Sequence, residues 1–418
     1  MRYDSLGVES ELIELDCKMK IRYCKREGFN RSYVGIGVNY GSKDFNFIHD
    51  GVEYKTKSGI AHFIEHKCFS MPDGSDSFYT LSDMGVSANA YTSSNRTVYF
   101  FNTVESIYKP LGVLLDTIFT NGFTKENIEH EKGIICSEIN MYKSNLDYVL
   151  ETTTLKNMYL NTGYMYDVAG SVEDVMATTL DDILNNFKAF YHPSNLILDV
   201  VGDIDKEELI LFVNKYIAKY EFEAAKETKS LDNLTHIEVN EELVEIKGKT
   251  EEEKYCLGIR LNNEFTDLIE QTICYDYLLD LISSDSSNIY QKLIKKHIIN
   301  PDMYYELQVG KDSSFILICG SANDAKLAIN KLLEIFNHFP VKEISEESLN
   351  SFKKNTLAEN IRVFDNISGI GEVLMEYDLA GLNYFDYLPK LRSINLADIK
   401  KYAKNISKSK KSSTILTN

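Results

Sequence analysis

Two stretches of the sequence share one pattern: Thr97–Phe119 (TVYFFNTVESIYKPLGVLLDTIF) and Ser314–Phe336 (SFILICGSANDAKLAINKLLEIF). Each reads as an apolar strand, a short polar turn and a helix whose apolar positions recur at helical spacing. The stretches lie 217 positions apart, and Leu180–Ile183 (LDDI) returns as Leu396–Ile399 (LADI) after 216 positions. Unrelated strand-then-helix units can look alike, but two pairs with nearly one offset indicate an internal duplication. We therefore predict two homologous halves.

The boundary between the halves is predicted in Glu221–Asn240, a polar stretch with many charges and little apolar periodicity. We predict an N-terminal half over residues 1–222, a linker over 223–240 and a C-terminal half over 241–418. Strand-like and helix-like runs are interleaved, with hairpin-length gaps between some strands. This spacing favours an α+β fold in which each half is a mixed or antiparallel sheet covered by helices. We expect the end of the chain, Lys408–Asn418, to be frayed and solvated.

The composition is typical of an ordinary globular protein, with 418 residues of which 44% are hydrophobic and 26% are charged. Acidic residues outnumber basic ones by 63 to 45, which argues against a nucleic-acid partner because phosphate binding relies on Lys and Arg. The seven cysteines are scattered without a C-x-x-C pair, as in proteins of a reducing compartment. No secretory signal is visible, and no uncharged run approaches the ~20 residues that span a bilayer. We predict a cytoplasmic location and no membrane partner.

The sequence His62–His66 (HFIEH) has the form H-x-x-E-H and lies in a helix-like run, Gly59–Phe69. His62 and His66 are four residues apart, so their imidazoles lie on one helix face and can bind one ion. Neutral imidazole suits Zn²⁺, and Glu65 lies within reach of a metal-bound water without being a ligand. The alternative is an ordinary amphipathic helix with two surface or hydrogen-bonded histidines. We predict Zn²⁺ as the cofactor, with Glu65 as the catalytic base.

A third ligand is expected from another helix, Lys125–Tyr142 (KENIEHEKGIICSEINMY), which is rich in acidic residues. Glu131 and Glu138 are seven residues apart, which is two helical turns, and therefore share a face. Glu126 and Glu129 fit an exposed acidic face. The spacing by itself does not choose between Glu131 and Glu138 as the ligand.

These residues resemble the pitrilysin-type (M16) zinc peptidases, in which H-x-x-E-H is followed by a distal E-x6-E. The resemblance implies that Glu138 is the third metal ligand. It implies that Glu131, which we assign to the catalytic set with Glu65, supports the site from close by. Further matching stretches extend the resemblance over nearly the whole N-terminal half, from about residue 33 to residue 203. Within the family, the chain looks most like the short, two-domain bacterial branch.

One of these stretches, Gly85–Thr92 (GVSANAYT), corresponds in the family to an exposed strand that pairs with the substrate backbone. An edge strand with free N–H and C=O groups can add an extended peptide as a further strand. The resemblance implies that Ala88, Asn89 and Ala90 bind the substrate. The alternative for Asn89 is a structural role in a turn.

The C-terminal half departs from the family pattern. Catalytically complete members carry an Arg and a Tyr there that bind the substrate carbonyl. The matching segment, Leu293–Tyr305, offers Tyr304 as a substrate-binding residue, but Ile294 occupies the Arg position and Lys295 follows it. Lysine does not replace the planar fork of arginine. In this family such a gap often means that a homologous partner supplies the missing pair, which predicts a heterodimer; a homodimer or a monomer is the alternative.

The resemblance implies a zinc-dependent endopeptidase that cleaves short or unfolded peptides, and a peptide-maturation protease is its specialised form. We predict that this chain is the zinc-bearing subunit. The alternative function is a non-hydrolytic M16-like interaction or assembly subunit. The intact H-x-x-E-H sequence argues against that alternative, because such members usually lose it.

Overall fold

The computed structural model describes residues 2–3, 8–231, 239–262 and 264–418. The chain forms two compact units, each built around one large sheet. The first unit comprises Met1–Ile139, Tyr166–Asp232 and Asn360–Tyr384. The second unit comprises Asn140–Met165, Asn233–Glu359 and Phe385–Asn418.

The strands and helices are numbered in chain order. The strands are β1 Arg2–Tyr3, β2 Val8–Glu14, β3 Lys20–Lys25, β4 Ser32–Val38, β5 Asn46–His49, β6 Val52–Lys55, β7 Ser87–Thr92, β8 Thr97–Thr103, β9 Leu196–Gly202, β10 Thr228–Ser230, β11 Leu243–Lys247, β12 Glu253–Leu261, β13 Tyr304–Gln308, β14 Ser314–Ala322 and β15 Lys410–Thr417. The α-helices are α1 Ile60–Cys68, α2 Ser77–Asp83, α3 Tyr108–Phe119, α4 Lys125–Ser144, α5 Leu146–Met158, α6 Val172–Ala177, α7 Leu180–Phe190, α8 Lys206–Ile217, α9 Leu268–Ser283, α10 Asn288–Lys295, α11 Ala325–Asn337, α12 Glu346–Val363, α13 Ile367–Leu379, α14 Tyr387–Ser393 and α15 Leu396–Lys408.

The two large sheets have matching topologies. The first has the order β1-β2-β3-β9-β4-β8-β7, and the second has the order β11-β15-β12-β14-β13. In each sheet one pair is parallel, β3 with β9 and β11 with β15, and the other pairs are antiparallel. The hairpins also share their register, since Ser87 faces Asn102 and Tyr304 faces Cys319, with each residue displaced by 217 positions. The predicted α+β fold with two homologous halves is confirmed.

The compact units differ from the predicted halves because two helices are exchanged. Helix α5, from the N-terminal part of the sequence, packs on β12 and β15 of the second unit. Helix α13, from the C-terminal part, packs on β4 and β9 of the first unit. The contiguous bounds 1–222 and 241–418 therefore do not coincide with the units. The apolar periodicity of a helix shows that one face is buried but not which sheet buries it.

Glycines in the central strands allow each exchanged helix to approach its sheet closely. A Cβ atom built on Gly37 of β4 would lie 2.8 Å from Leu379 Cδ1 of α13. A Cβ atom built on Gly258 of β12 would lie 2.7 Å from Thr154 Cγ2 of α5. A buried ion pair also fixes α13, because Arg22 Nε donates to Asp378 Oδ2 at 2.7 Å.

The predicted linker is partly strand. Its residues 228–230 form β10, which pairs antiparallel with β5 in a separate three-stranded sheet of the first unit. Thr228 lies opposite His49, and Thr228 Oγ1 is 2.8 Å from His49 Nδ1. Residues 232–238 of the predicted linker lie outside the described residues. A three-residue strand is too short to show an apolar alternation in the sequence.

The expectation of a frayed end at Lys408–Asn418 is wrong. Residues 410–417 form β15, which lies between β11 and β12 in the second sheet. Residues 412–417 are buried. Small Ser and Thr side chains fit a sheet interior when strands on either side pair with their backbone groups. The lysines before them made this segment resemble a solvated tail.

The packing of α13 leads to a stability prediction at Gly371. A Cβ atom there would overlap the buried ring of Tyr33, whereas a Cβ atom at Gly133 in α4 would meet nothing within 4 Å. We expect Gly371→Ala to lower the free energy of unfolding by about 1–3 kcal/mol because the site is overpacked. The control, Gly133→Ala, should raise it by about 0.5–1 kcal/mol, as alanine does in an open helix. Urea unfolding measures the free energy of unfolding of both variants. Equal values for Gly371→Ala and Gly133→Ala would contradict the close packing of α13 on Tyr33.

Candidate metal centre

Helix α1 is held in a single orientation by its burial. It begins after Gly59, which has φ +81°, and a Cβ atom there would overlap the backbone of Ala169. The side chains of Ile60, Phe63 and Ile64 are buried, and the helix packs against β7, β8 and α7. Because the apolar face is fixed in this way, the polar face of α1 can point in only one direction.

Three predicted ligands meet on that face. His62 Nε2 lies 3.7 Å from Glu138 Oε2, and His66 Nε2 lies 3.4 Å from the same oxygen. One ligand atom from each of the three residues lies within 4.8 Å of the others. Tetrahedral zinc with bonds of about 2.0–2.2 Å separates its ligand atoms by about 3.3–3.6 Å. The donor set and its spacing therefore fit a zinc ion, and among the described residues this is the only such group.

The two histidines have different environments. Burial, followed by the charge of His66, lowers the pKa of His62, which favours the neutral ring that a metal ligand requires. The Nδ1 atom of His62 is buried and has no hydrogen-bond partner among the described residues. Burial also favours the neutral form of His66, but its hydrogen bond to Glu131 and nearby carboxylates raise its pKa overall.

Glu131 lies behind His66, away from the facing ligand atoms. His66 Nδ1 donates to Glu131 Oε1 at 3.1 Å, and Lys67 Nζ donates to Glu131 Oε2 at 3.0 Å. Burial opposes ionisation, but these two hydrogen bonds lower the pKa of Glu131 to about 2. Glu131 thus contacts His66, a predicted ligand, and its supporting role stays a prediction.

Glu65 lies beside the ligands and is held by strand β7. Thr92 Oγ1 donates to Glu65 Oε2 at 2.8 Å, which leaves Oε1 available for a proton. Burial raises the pKa of Glu65. Thr92 was not among the predicted site residues, although it ends the Gly85–Thr92 stretch that pointed to β7. Its role depends on a contact between strand and helix that the sequence does not show.

Strand β7 is at the edge of the first sheet, and among the described residues it pairs only with β8. Ala88 and Ala90 are half-buried, and Asn89 is exposed. The Asn89 side chain accepts a hydrogen bond from the backbone N–H of Ala90 at 2.9 Å. The outer edge of β7 can therefore accept another strand, and a substrate-binding role for these three residues stays a prediction.

Tyr304 lies on β13, an edge strand of the second sheet, and is 44% exposed. Its hydroxyl donates to the carboxylate of Glu151 on α5. Burial and this hydrogen bond raise the pKa of Tyr304. The phenol is thus already paired within its own unit, and its assignment to the substrate stays a prediction.

The second unit has an aromatic residue where the first has Glu131. Helices α12 and α13 begin 221 positions after α4 and α5, so Phe352 corresponds to Glu131. Phe352 packs on Tyr277 of α9, with ring centroids 5.4 Å apart. The duplicated scaffold therefore keeps the helix pairing in both units, and among the described residues only the first unit brings a group of metal donors together.

Two family descriptions match successive parts of the chain. The family description "Insulinase (Peptidase family M16)" matches residues 25–171, and "Peptidase M16 inactive domain" matches residues 177–356. The chain belongs to peptidase family M16, which confirms the resemblance seen in the sequence.

Individual relatives carry protease or peptidase names. A Bacillus subtilis protein described as an uncharacterised zinc protease, YmfH, is 30% identical over 382 residues, which cover 90% of this chain and 88% of that protein. The beta subunit of the human mitochondrial-processing peptidase is 25% identical over 187 residues, which cover 44% of this chain and 37% of that protein. The crystal structure of a putative M16-like peptidase from Alicyclobacillus acidocaldarius matches with a TM-score of 0.91 and 25% identity, covering 98% of each chain.

Among the described residues, no helix is both long and apolar enough to cross a membrane. The predicted cytoplasmic location stays a prediction.

Proposed function

We propose that this chain is a zinc-dependent endopeptidase that cleaves short or unfolded peptides. The observation that carries the proposal is the convergence of His62 and His66 on one oxygen of Glu138, with Glu65 one residue before His66 on the same helix. His62, His66 and Glu138 would hold the metal. A bound zinc ion supplies a Lewis acid that polarises a carbonyl oxygen and lowers the pKa of a bound water.

Glu65 is the group that moves protons in this proposal. Thr92 occupies one of its oxygens, so the other can take a proton from water and return it to the leaving amine. The hydrogen bond from Thr92 also fixes the carboxylate plane. Glu131 acts by orienting His66 and does not touch the peptide.

The proposed substrate class follows from the edge strand. A peptide that adds to β7 must be extended, so a folded protein can present only a loose segment. Backbone groups near Ala88, Asn89 and Ala90 would pair with it. Short or unfolded peptides satisfy this requirement, and a role in peptide maturation is supported by the name of the mitochondrial-processing relative.

We further propose that the active species is a heterodimer in which this chain carries the zinc. Three observations support this assembly. Tyr304 is engaged by Glu151, and Ile294 stands where the family pattern has arginine. In addition, one relative is named as a subunit of a processing peptidase. A homodimer or a self-sufficient monomer is the alternative assembly.

A non-hydrolytic interaction subunit is the second candidate function. It is favoured by the match of residues 177–356 to a domain described as inactive. The complete donor set in the first unit favours the peptidase, because a subunit without catalysis has no need of an H-x-x-E-H sequence whose ligand atoms converge.

One experiment separates these candidates. The zinc-loaded chain is incubated with an unfolded, fluorogenic peptide, alone and with a homologous chain from the same genome that lacks H-x-x-E-H. We expect cleavage in the mixture to exceed cleavage by the chain alone by about 10²-fold, the typical effect of one missing group that stabilises the carbonyl oxygen. Full activity of the chain alone would contradict the heterodimer. Absence of cleavage in every mixture, with zinc bound, would favour the interaction subunit.

A further inference from the structure

Lys67 is a buried lysine directly after the second histidine of the H-x-x-E-H sequence. Its side chain is only 7% exposed. A buried ammonium group is costly unless it is paired and hydrogen-bonded. Lys67 meets this condition through Glu131, whose Oε2 accepts from Lys67 Nζ at 3.0 Å. A surface position would have avoided the desolvation cost, so the location of Lys67 requires a structural reason.

Glu131 links Lys67 to the proposed zinc ligand His66. Its second oxygen, Oε1, lies 3.1 Å from His66 Nδ1. An ionised carboxylate can only accept hydrogen bonds, so His66 must carry its proton on Nδ1. When the ring is neutral, the lone pair lies on the other nitrogen, Nε2, and this is the atom that faces Glu138 at 3.4 Å.

We propose that Lys67 is a positioning residue of the metal centre, acting through Glu131 on the ring orientation and tautomer of His66. The ammonium group fixes one carboxylate oxygen, and the rigid carboxylate then directs the other oxygen to Nδ1. Without Lys67 the Glu131 carboxylate is free to rotate, and His66 Nε2 is no longer held toward Glu138. The inference rests on the zinc site of the proposed function.

The structure offers a matched lysine for comparison. Lys132 on α4 also has a side chain that is 7% exposed, and its Nζ donates to Glu129 Oε1 at 2.7 Å. It donates as well to the backbone oxygen of Met176 at 3.1 Å. Neither of these partners contacts His62, His66 or Glu138 in the described hydrogen bonds. Substitution of Lys132 therefore measures how far the loss of a buried, paired lysine destabilises the fold when no proposed ligand is disturbed.

The test measures metal affinity in the full-length chain. Lys67→Met and Lys132→Met are compared with the wild type by zinc competition against a chromophoric chelator and by the absorption spectrum of bound Co²⁺. We expect Lys67→Met to weaken zinc binding by about 10–100-fold, the usual effect of losing an outer-shell partner, and to change the Co²⁺ spectrum. Lys132→Met should bind both metals like the wild type, even where its unfolding temperature falls.

A double-mutant cycle tests whether Lys67 acts through Glu131. In the Glu131→Gln background, Lys67→Met should change zinc affinity by less than about twofold, because the link is already lost. Lys67→Arg, which keeps the charge and a donor, should recover part of the affinity. It also provides a folded variant if Lys67→Met does not fold.

The outcomes of the two proposals are distinguishable. Unchanged zinc affinity and an unchanged Co²⁺ spectrum in Lys67→Met would overturn the positioning role alone. An equal loss of affinity in Lys132→Met would also overturn it, because the effect would then be general destabilisation. A wild-type chain that binds neither metal would overturn the proposed function and this inference together.

Discussion

Glu65→Gln is expected to remove nearly all peptide cleavage while the zinc content stays at the wild-type level. The amide keeps the size of the side chain and can still meet the Thr92 hydroxyl, but it cannot take a proton. General acid–base groups typically contribute about 10²–10⁴-fold to the rate, so kcat/KM should fall by that factor. The measurements are cleavage of an unfolded peptide, with the homologous partner where it is required, and zinc per chain.

A control variant at an exposed acid isolates this effect. Glu126 on α4 is exposed, and Glu126→Gln removes one negative charge from the same unit. It should leave both cleavage and zinc content unchanged. Cleavage by Glu65→Gln at the wild-type rate would refute the role of Glu65 as the base, and loss of zinc from Glu65→Gln would show that Glu65 is needed for metal binding.

His62→Ala is expected to abolish zinc binding at micromolar metal and, with it, cleavage. The substitution removes one of the two Nε2 atoms that face Glu138 Oε2, leaving only His66 and Glu138. The loss of affinity should exceed the roughly 10–100-fold cost of losing an outer-shell partner. Zinc at 100 times its Kd should stabilise the wild type by about 2.7 kcal/mol and should not stabilise His62→Ala. Thermal unfolding with and without zinc measures this stabilisation in the wild type and in His62→Ala.

The matched control for this variant is His130→Ala. His130 is exposed on α4, next to Glu131 in sequence. The substitution should leave zinc affinity and the zinc-dependent stabilisation unchanged. Wild-type zinc binding by His62→Ala would refute the predicted ligand set, whatever its effect on cleavage.

The position of α1 and the shared face of its two histidines could be predicted, because both depend only on neighbouring residues in the sequence. The helix-like run Gly59–Phe69 contains α1, which covers Ile60–Cys68. The spacing of His62 and His66 determines that they share a face, and burial of the apolar face determines its direction. The duplication was also visible locally, because each copy repeats the same strand, turn and helix.

Other features depend on contacts between distant parts of the chain. The choice between Glu131 and Glu138 needed the family resemblance, because both acids lie on one face of α4. Lysine is mostly exposed in proteins, so nothing in the sequence indicates that Lys67 is buried against Glu131. The exchange of α5 and α13 left no local signal, since an apolar helix face fits either sheet equally well.

The exchanged helices also affect how the protein is made. The side of β4 that carries Gly37 is covered by α13, which begins at Ile367. About 330 residues must be synthesised after β4 before α13 begins to leave the ribosome. At about 5–20 residues per second, this takes some tens of seconds. The first sheet therefore exposes apolar surface throughout most of translation. The proposed zinc site lies on helices α1 and α4, which are made early, but its unit cannot complete its core until the C-terminal part of the chain is synthesised. Nascent chains should therefore depend on chaperones during that interval.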